Sequence, residues 1–362
     1  MNKILRITAI SFLLFFGLQN VLAQKDGFIP PKSDNPDSWS MILLPDPQTY
    51  MKYDYNQPLF DLMLAWITRS QEALNTQLVL CTGDIVDMND YLNPDYIHFN
   101  QSSKAQWEAA ARLFGRLDGK IPYISTTGNH DIGFGNAENR YSNYDQYFPV
   151  DKNWKSQRML KDVGRDINGK PSLTNATYEF ISTHGKKFLV LVLEFAPRDE
   201  TLVWAKNTID KPKYADHSVI LLIHSYLGSN NKHIETEGYP IEGANYGKAV
   251  WEKLVKSSKN IEMVFSGHIG VANDERAHVG FRTDINAGGR KVNQMTFNAQ
   301  ALGGGWHGNG GDGWLRILEF LPDGRTVKVK TFSPLFAASP TTQKYAWRTE
   351  SYDEFTFTLD ER

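Results

Sequence analysis

From Trp39 onward one pattern recurs five times: a short apolar run, of strand length and composition, stops directly before polar residues. Met41-Ile42-Leu43-Leu44 leads to Asp46, and Leu78-Val79-Leu80 leads through Thr82 and Gly83 to Asp84. Ile121-Pro122-Tyr123-Ile124 leads to Gly128-Asn129-His130-Asp131. Val219 to Ile223 leads to His224, and Ile261 to Phe265 leads to Gly267-His268. Between the runs, Pro58 to Leu74 and Lys104 to Leu117 carry apolar residues on one helical face, and Ala249 to Lys256 is a shorter helical pattern. Strands alternating with helices predict parallel βα units, whose loops at the strand carboxyl ends collect in one place.

The second half reads differently. Tyr178–Ser182 and Lys187–Phe195 flank His184-Gly185; Arg276–Asp284 and Lys291–Asn298 flank Asn286-Ala287-Gly288-Gly289; Trp314–Phe320 and Thr326–Thr331 flank Pro322-Asp323-Gly324. Each is a β-hairpin signal. The fold class is mixed α/β, with antiparallel hairpins completing a second sheet. Residues 303–313 are dense in glycine and predict a mobile loop, and 333–362 add short strands.

At the start, Lys3 and Arg6 precede the apolar stretch Ile7–Leu18, and Val21-Leu22-Ala23 offers small residues for cleavage. Residues 1–23 thus predict a signal peptide, with a mature chain from Gln24 that is secreted or periplasmic and has no membrane anchor. Residues 24–38 predict a linker or N-terminal arm, and 39–362 one catalytic domain. The formal net charge of −2 argues against nucleic acid held by bulk electrostatics and against a polybasic membrane patch. The single cysteine, Cys81, excludes an internal disulfide and a cysteine-based zinc cluster. Its apolar surroundings predict a buried thiol rather than a nucleophile.

Taken singly, each polar residue has an ordinary explanation. An aspartate at a strand end often caps a helix, and a lone histidine after a buried strand is more often packing than a ligand. Five such residues at five strand ends are not explained that way. In order, Asp46-Pro47-Gln48, Gly83-Asp84-Ile85-Val86-Asp87, Gly128-Asn129-His130-Asp131, His224 and Gly267-His268 resemble the motifs of the calcineurin-like metallophosphoesterase superfamily. The resemblance spans roughly residues 40–330. It implies a four-layer αββα fold, two β-sheets flanked by helices, and hydrolysis of a phosphomonoester or phosphodiester by a metal-activated hydroxide.

The resemblance also implies roles. Asp84 would bridge two divalent ions; Asp46 and Gln48 would serve the first position, and Asn129, His224 and His268 the second. His130 would stand at the leaving group, oriented by Asp87. Two positions depart from the pattern, with Gln48 and Gly270 standing where the superfamily carries histidines. Both would serve the first ion, so the expectation is one tight and one weak site for Mn, Fe or Zn. Histidines at 48 and 270 should restore the second ion, provided the backbone at Gly270 admits a Cβ. Met88-Asn89-Asp90 after the second motif lacks the arginine of phosphoprotein phosphatases, so the expected partner is a small-molecule phosphate ester. The rival expectation is an exported binding protein that kept the fold and lost turnover. Arg140, His233, Trp306 and His307 are further candidates for substrate contact, each with a plain structural alternative.

Overall fold

The computed structural model describes residues 28–361, so the predicted signal peptide lies outside the described residues. Fourteen strands are present among them. In chain order these are β1 (Trp39–Leu44), β2 (Thr76–Cys81), β3 (Tyr123–Ser125), β4 (Leu160–Arg165), β5 (Pro171–Ile181), β6 (Lys187–Val192) and β7 (Ser218–Leu222). There follow β8 (Ile261–Ser266), β9 (Val279–Ile285), β10 (Lys291–Phe297), β11 (Leu315–Phe320), β12 (Thr326–Phe332), β13 (Trp347–Arg348) and β14 (Phe355–Thr358). They form two sheets of seven, ordered β13-β12-β11-β1-β2-β3, with β14 also on β12, and β4-β5-β6-β7-β8-β10-β9.

The parallel strands do not share one sheet. β1, β2 and β3 run parallel in the first, and β6, β7 and β8 in the second. Nor do the hairpins all complete a second sheet, as the sequence pattern leads one to expect. β5–β6 and β9–β10 extend the second, whereas β11–β12 adds to the first, with β11 antiparallel to β1. The pattern is silent on this partition because β1, β8 and β11 are buried at every residue. A strand covered on both faces shows no exposed polar side that would mark its neighbours, and even Arg316 and Glu319 of β11 are buried.

Residues alternate across the second sheet. Phe188, Val190 and Val192 face the layer between the sheets with Met41, Leu43 and Leu80 of the first. Leu189, Leu191, Val219 and Leu221 face outward, where they cover Leu202 and Ala205 of the helix Asp199–Ile209 and Leu254 of the helical segment Gly247–Val255. Against the first sheet, Trp66 of the helix Gln57–Ser70 packs on Phe332, and its Phe60 on Phe114 of the helix Ser103–Phe114. The architecture is the two-sheet sandwich flanked by helices.

From Pro31 the chain forms one compact unit. Part of the predicted arm is tied to it: Glu319 accepts from the Asp34 amide at 2.7 Å, and Lys328 pairs with the Asp34 carboxylate at 2.8 Å. Residues 303–313 are likewise pinned. The Asn309 side chain accepts from the amides of Gly311 and Asp312, and Tyr50 accepts from that of Gly313 at 3.0 Å. A short side chain satisfying successive amides gives a glycine-rich segment a fixed path.

Candidate metal centre

The carboxyl ends of β1, β2 and β3 meet those of β7 and β8 across the sandwich, and the loops that follow carry all the predicted residues to one place. The loops are tightly wound. Asp84 and His268 hold positive φ values of 46° and 74°, a conformation that side chains other than glycine rarely adopt and that gathers at functional sites. Gly128 allows the closest approach: a Cβ there would stand 2.0 Å from Asp84 Oδ1. Asp131, fully buried, holds two of the loops together by accepting from the amides of Val86 (3.0 Å) and Gly128 (2.8 Å).

The centre is His224 Nε2. It lies 3.2 Å from Asp84 Oδ2, 3.2 Å from Asn129 Oδ1 and 3.1 Å from His268 Nδ1. Three of these four atoms are turned inward by a partner behind them. His224 Nδ1 donates to the Thr82 carbonyl at 2.8 Å, which leaves Nε2 with its lone pair in the neutral ring. Asn129 donates its amide to Asn136 at 2.9 Å, so its carbonyl oxygen points in. His268 Nε2 donates to Glu237 at 2.6 Å, which leaves Nδ1 as the inward atom. Four lone-pair atoms thus converge, and even a protonated His224, with an N–H at Nε2 as well, can satisfy only one of the others. A cation satisfies all of them at once. Asp84, His224 and His268 each offer a ligand atom within 4.8 Å of the others.

Burial alone would lower the pKa of His224, but Asp84 and Asp46 reverse this and push it up to about 10. Burial works in the opposite sense on Asp84, yet the neighbouring imidazoles, His224 foremost, hold its carboxyl well below the ordinary range. A buried site with this charge balance demands positive charge. Oxygen and imidazole donors of this kind suit Mn, Fe or Zn.

The first predicted position is next to the second. Asp46 accepts from Thr82 Oγ1 (2.6 Å) and from the His268 amide (2.7 Å), 3.8 Å from His224 Nδ1. Gln48 Nε2 donates to Asp84 Oδ2 at 2.9 Å, while its buried Oε1 has no hydrogen-bond partner. An orphaned buried carbonyl beside the Asp84 carboxylate fits a cation ligand. Gly270 is the contrary case. His278, fully buried, places Nε2 where a Cβ on residue 270 would be, 2.5 Å away. A side chain at 270 therefore requires His278 to move, and this collision stands against the expected restoration by histidines at 48 and 270.

His130 lies at the mouth of the site and donates its own amide to Asp84 Oδ1 at 3.0 Å. Its ring is oriented by Asp87, but not through the carboxylate that the sequence reading assigned: Nδ1 bonds the Asp87 main-chain carbonyl at 2.7 Å. The Asp87 carboxylate instead faces Lys52 at 3.4 Å. The remaining candidates separate. Trp306 lines the cavity in front of His130, whereas His307 bonds Tyr53 at 2.9 Å. His233 bonds Gln294 and stacks on Trp251, and Arg140 donates to the carbonyls of Ala196 and Glu242. Cys81 is buried.

Sequence reasoning missed Glu237 and His278. Glu237 stands in the polar stretch Glu235-Thr236-Glu237 and His278 ends the short helical turn Glu275–His278; only the tertiary contact gives each a role, and a strand-end motif marks neither.

The sequence profile of calcineurin-like phosphoesterases matches residues 46–272, which contain every predicted site residue. Over 347 residues the chain is 29% identical to the uncharacterized protein YvnB of Bacillus subtilis (strain 168), covering 94% of this chain and 23% of that protein. It thus spans about a quarter of the length of that relative. Among solved structures it is similar to GAP50, the anchor in the inner membrane complex of Plasmodium, with a TM-score of 0.41 and 10% identity over 90% of this chain and 89% of that one. Strand-end motifs, convergent ligand atoms and a matched span of well over half the chain agree: this protein belongs to the calcineurin-like phosphoesterase family.

Proposed function

We propose that the protein hydrolyses a small-molecule phosphate ester outside the cytoplasm, with divalent ions held by Asp46, Gln48, Asp84, Asn129, His224 and His268. The observation that carries this reading is the convergence of four inward lone-pair atoms on one buried point. Divalent ions bound there supply Lewis acidity toward phosphoryl oxygens and lower the pKa of water.

The chain's own groups do the rest. With His130 Nδ1 engaged by Asp87, the other ring nitrogen serves the cavity, placed to give a proton to the departing oxygen. Asp84 and its neighbours raise the pKa of His130 against the opposing effect of burial, which favours the protonated, acid form. Export rests on the basic start and apolar stretch of residues 1–23.

The test is turnover of generic phosphate esters with Mn²⁺, Zn²⁺ or Fe²⁺ supplied, alongside metal analysis of Asp84→Asn, Asn129→Ala and His224→Ala. Loss of metal and activity together is expected. Tight metal binding without turnover of any ester supports instead a binding protein that kept the fold. Unchanged metal content in all three variants refutes the site.

A further inference from the structure

We infer that the substrate is a phosphodiester, one of whose ester groups is apolar or aromatic; the inference rests on the phosphoesterase reading above and narrows it.

In front of Asp84, Asn129 and His130 opens a cavity of about 440 Å³. Its wall carries Ile234, Tyr239, Ile269, Val271 and Trp306, and its one further charged group is the Glu237 carboxylate. Among the described residues no lysine or arginine lines it. Two cations of the neighbouring loops are committed elsewhere: Lys52 pairs with Asp87, and Arg140 binds main-chain carbonyls.

Charge decides between the two ester classes. Near neutral pH a monoester phosphate approaches two negative charges and presents three non-ester oxygens, and proteins ordinarily answer it with arginine or lysine. A diester carries one charge and two such oxygens, so metal ions alone come closer to satisfying it. A carboxylate on the wall disfavours the dianion more than the monoanion. The second ester group of a diester also needs a surface to lie on, and the apolar wall with the half-exposed Trp306 supplies one. In the reaction, water adds to phosphorus, one of its protons passing to solvent and the other restoring His130, and the P–O bond to one ester group breaks. The departing oxygen takes a proton from His130, giving an alcohol or phenol and a monoester. That product has gained charge, which this wall holds poorly, so it leaves.

The experiment compares three esters of one leaving group, with Mn²⁺ supplied: p-nitrophenyl phosphate, methyl p-nitrophenyl phosphate and bis(p-nitrophenyl) phosphate. The aromatic diester should exceed the monoester in kcat/KM by about 10-fold or more, the low end of what one missing charged hydrogen bond is worth. It should exceed the methyl diester mainly through KM, and Trp306→Ala should narrow that gap. Ser229→Arg, which sets a cation on the half-buried rim of the cavity, should raise monoester turnover relative to diester several-fold. A monoester hydrolysed as fast as the aromatic diester, or better, overturns the inference and leaves the phosphoesterase reading standing. Failure to turn over any of the three overturns that reading itself.

Discussion

Glu237 is the residue whose removal tests the construction of the site most directly. Its carboxylate takes the N–H of His268 at 2.6 Å, with the two side chains only 11% and 13% exposed, and is itself held by the Ser225 hydroxyl. Burial opposes its charge, but the hydrogen bond from His268 keeps its pKa below the ordinary glutamate value. Glu237 is therefore an anion that fixes which nitrogen of His268 points inward. Losing a hydrogen bond to a charged group costs about 1.5–3 kcal/mol, and losing the partner behind a metal ligand commonly costs about 10–100-fold in affinity; the two agree, since tenfold is about 1.4 kcal/mol. Glu237→Ala should weaken binding of the tighter ion by that factor. Glu237→Gln keeps an acceptor at the same reach without its charge, so about 3–10-fold is expected. Competition titration of Mn²⁺ or Zn²⁺ against a chelating dye measures both and needs no substrate. Unaltered affinity in Glu237→Ala, with binding lost in His268→Ala, refutes the argument that the carboxylate sets the ligand's orientation.

His130→Ala should retain its metal and lose about 10²–10⁴-fold in rate with a poor leaving group, and much less with nitrophenolate, read as kcat for both substrates. Asp131→Ala strips the acceptor from two buried amides, so denaturant unfolding should show a loss of about 2–5 kcal/mol, with Asp131→Asn milder. Gly270→His should lower stability by about 1–3 kcal/mol through its collision with His278 and should not tighten metal binding, whereas Gly270→His with His278→Gly should recover the stability. Chemical denaturation with metal analysis reads both effects.

Much of the site was legible because its residues sit where an apolar run stops. Asp46, Asp84, Asn129, His130, His224 and His268 all lie in the short polar segments that follow such runs, and the chain order of the motifs supplied the rest. The hairpins were legible from their turn residues. What the pattern does not carry is the partner across space. Strands buried on both faces look alike whichever sheet they join, so the split of the parallel strands between two sheets was invisible. β4 was missed because its residues, Lys161 and Asp162 among them, are mostly half-buried or exposed, as an edge strand's are. Asp87 shows the same limit at finer scale. Its presence near His130 was legible, but whether it offered a carboxylate or a carbonyl depended on the loop's path.

That Asp46, Asp84 and Asn129 stand on one sheet and His224 and His268 on the other has a bearing on how the molecule holds together. The sheets share an apolar layer but no hydrogen-bonded ladder, so side-chain packing and a few hydrogen bonds, such as those of His224 to Thr82 and of the His268 amide to Asp46, set their alignment where the loops emerge. An ion bound by Asp84, Asn129, His224 and His268 is then a rivet between the two halves, joining chain segments about as far apart in sequence as Thr82 and His224, 142 positions. Binding that requires both halves in place appears as resistance to unfolding, about 4 kcal/mol at an ion concentration 1,000 times Kd. Chelation should lower the thermal midpoint of the unaltered protein and leave that of Asp84→Asn where it was.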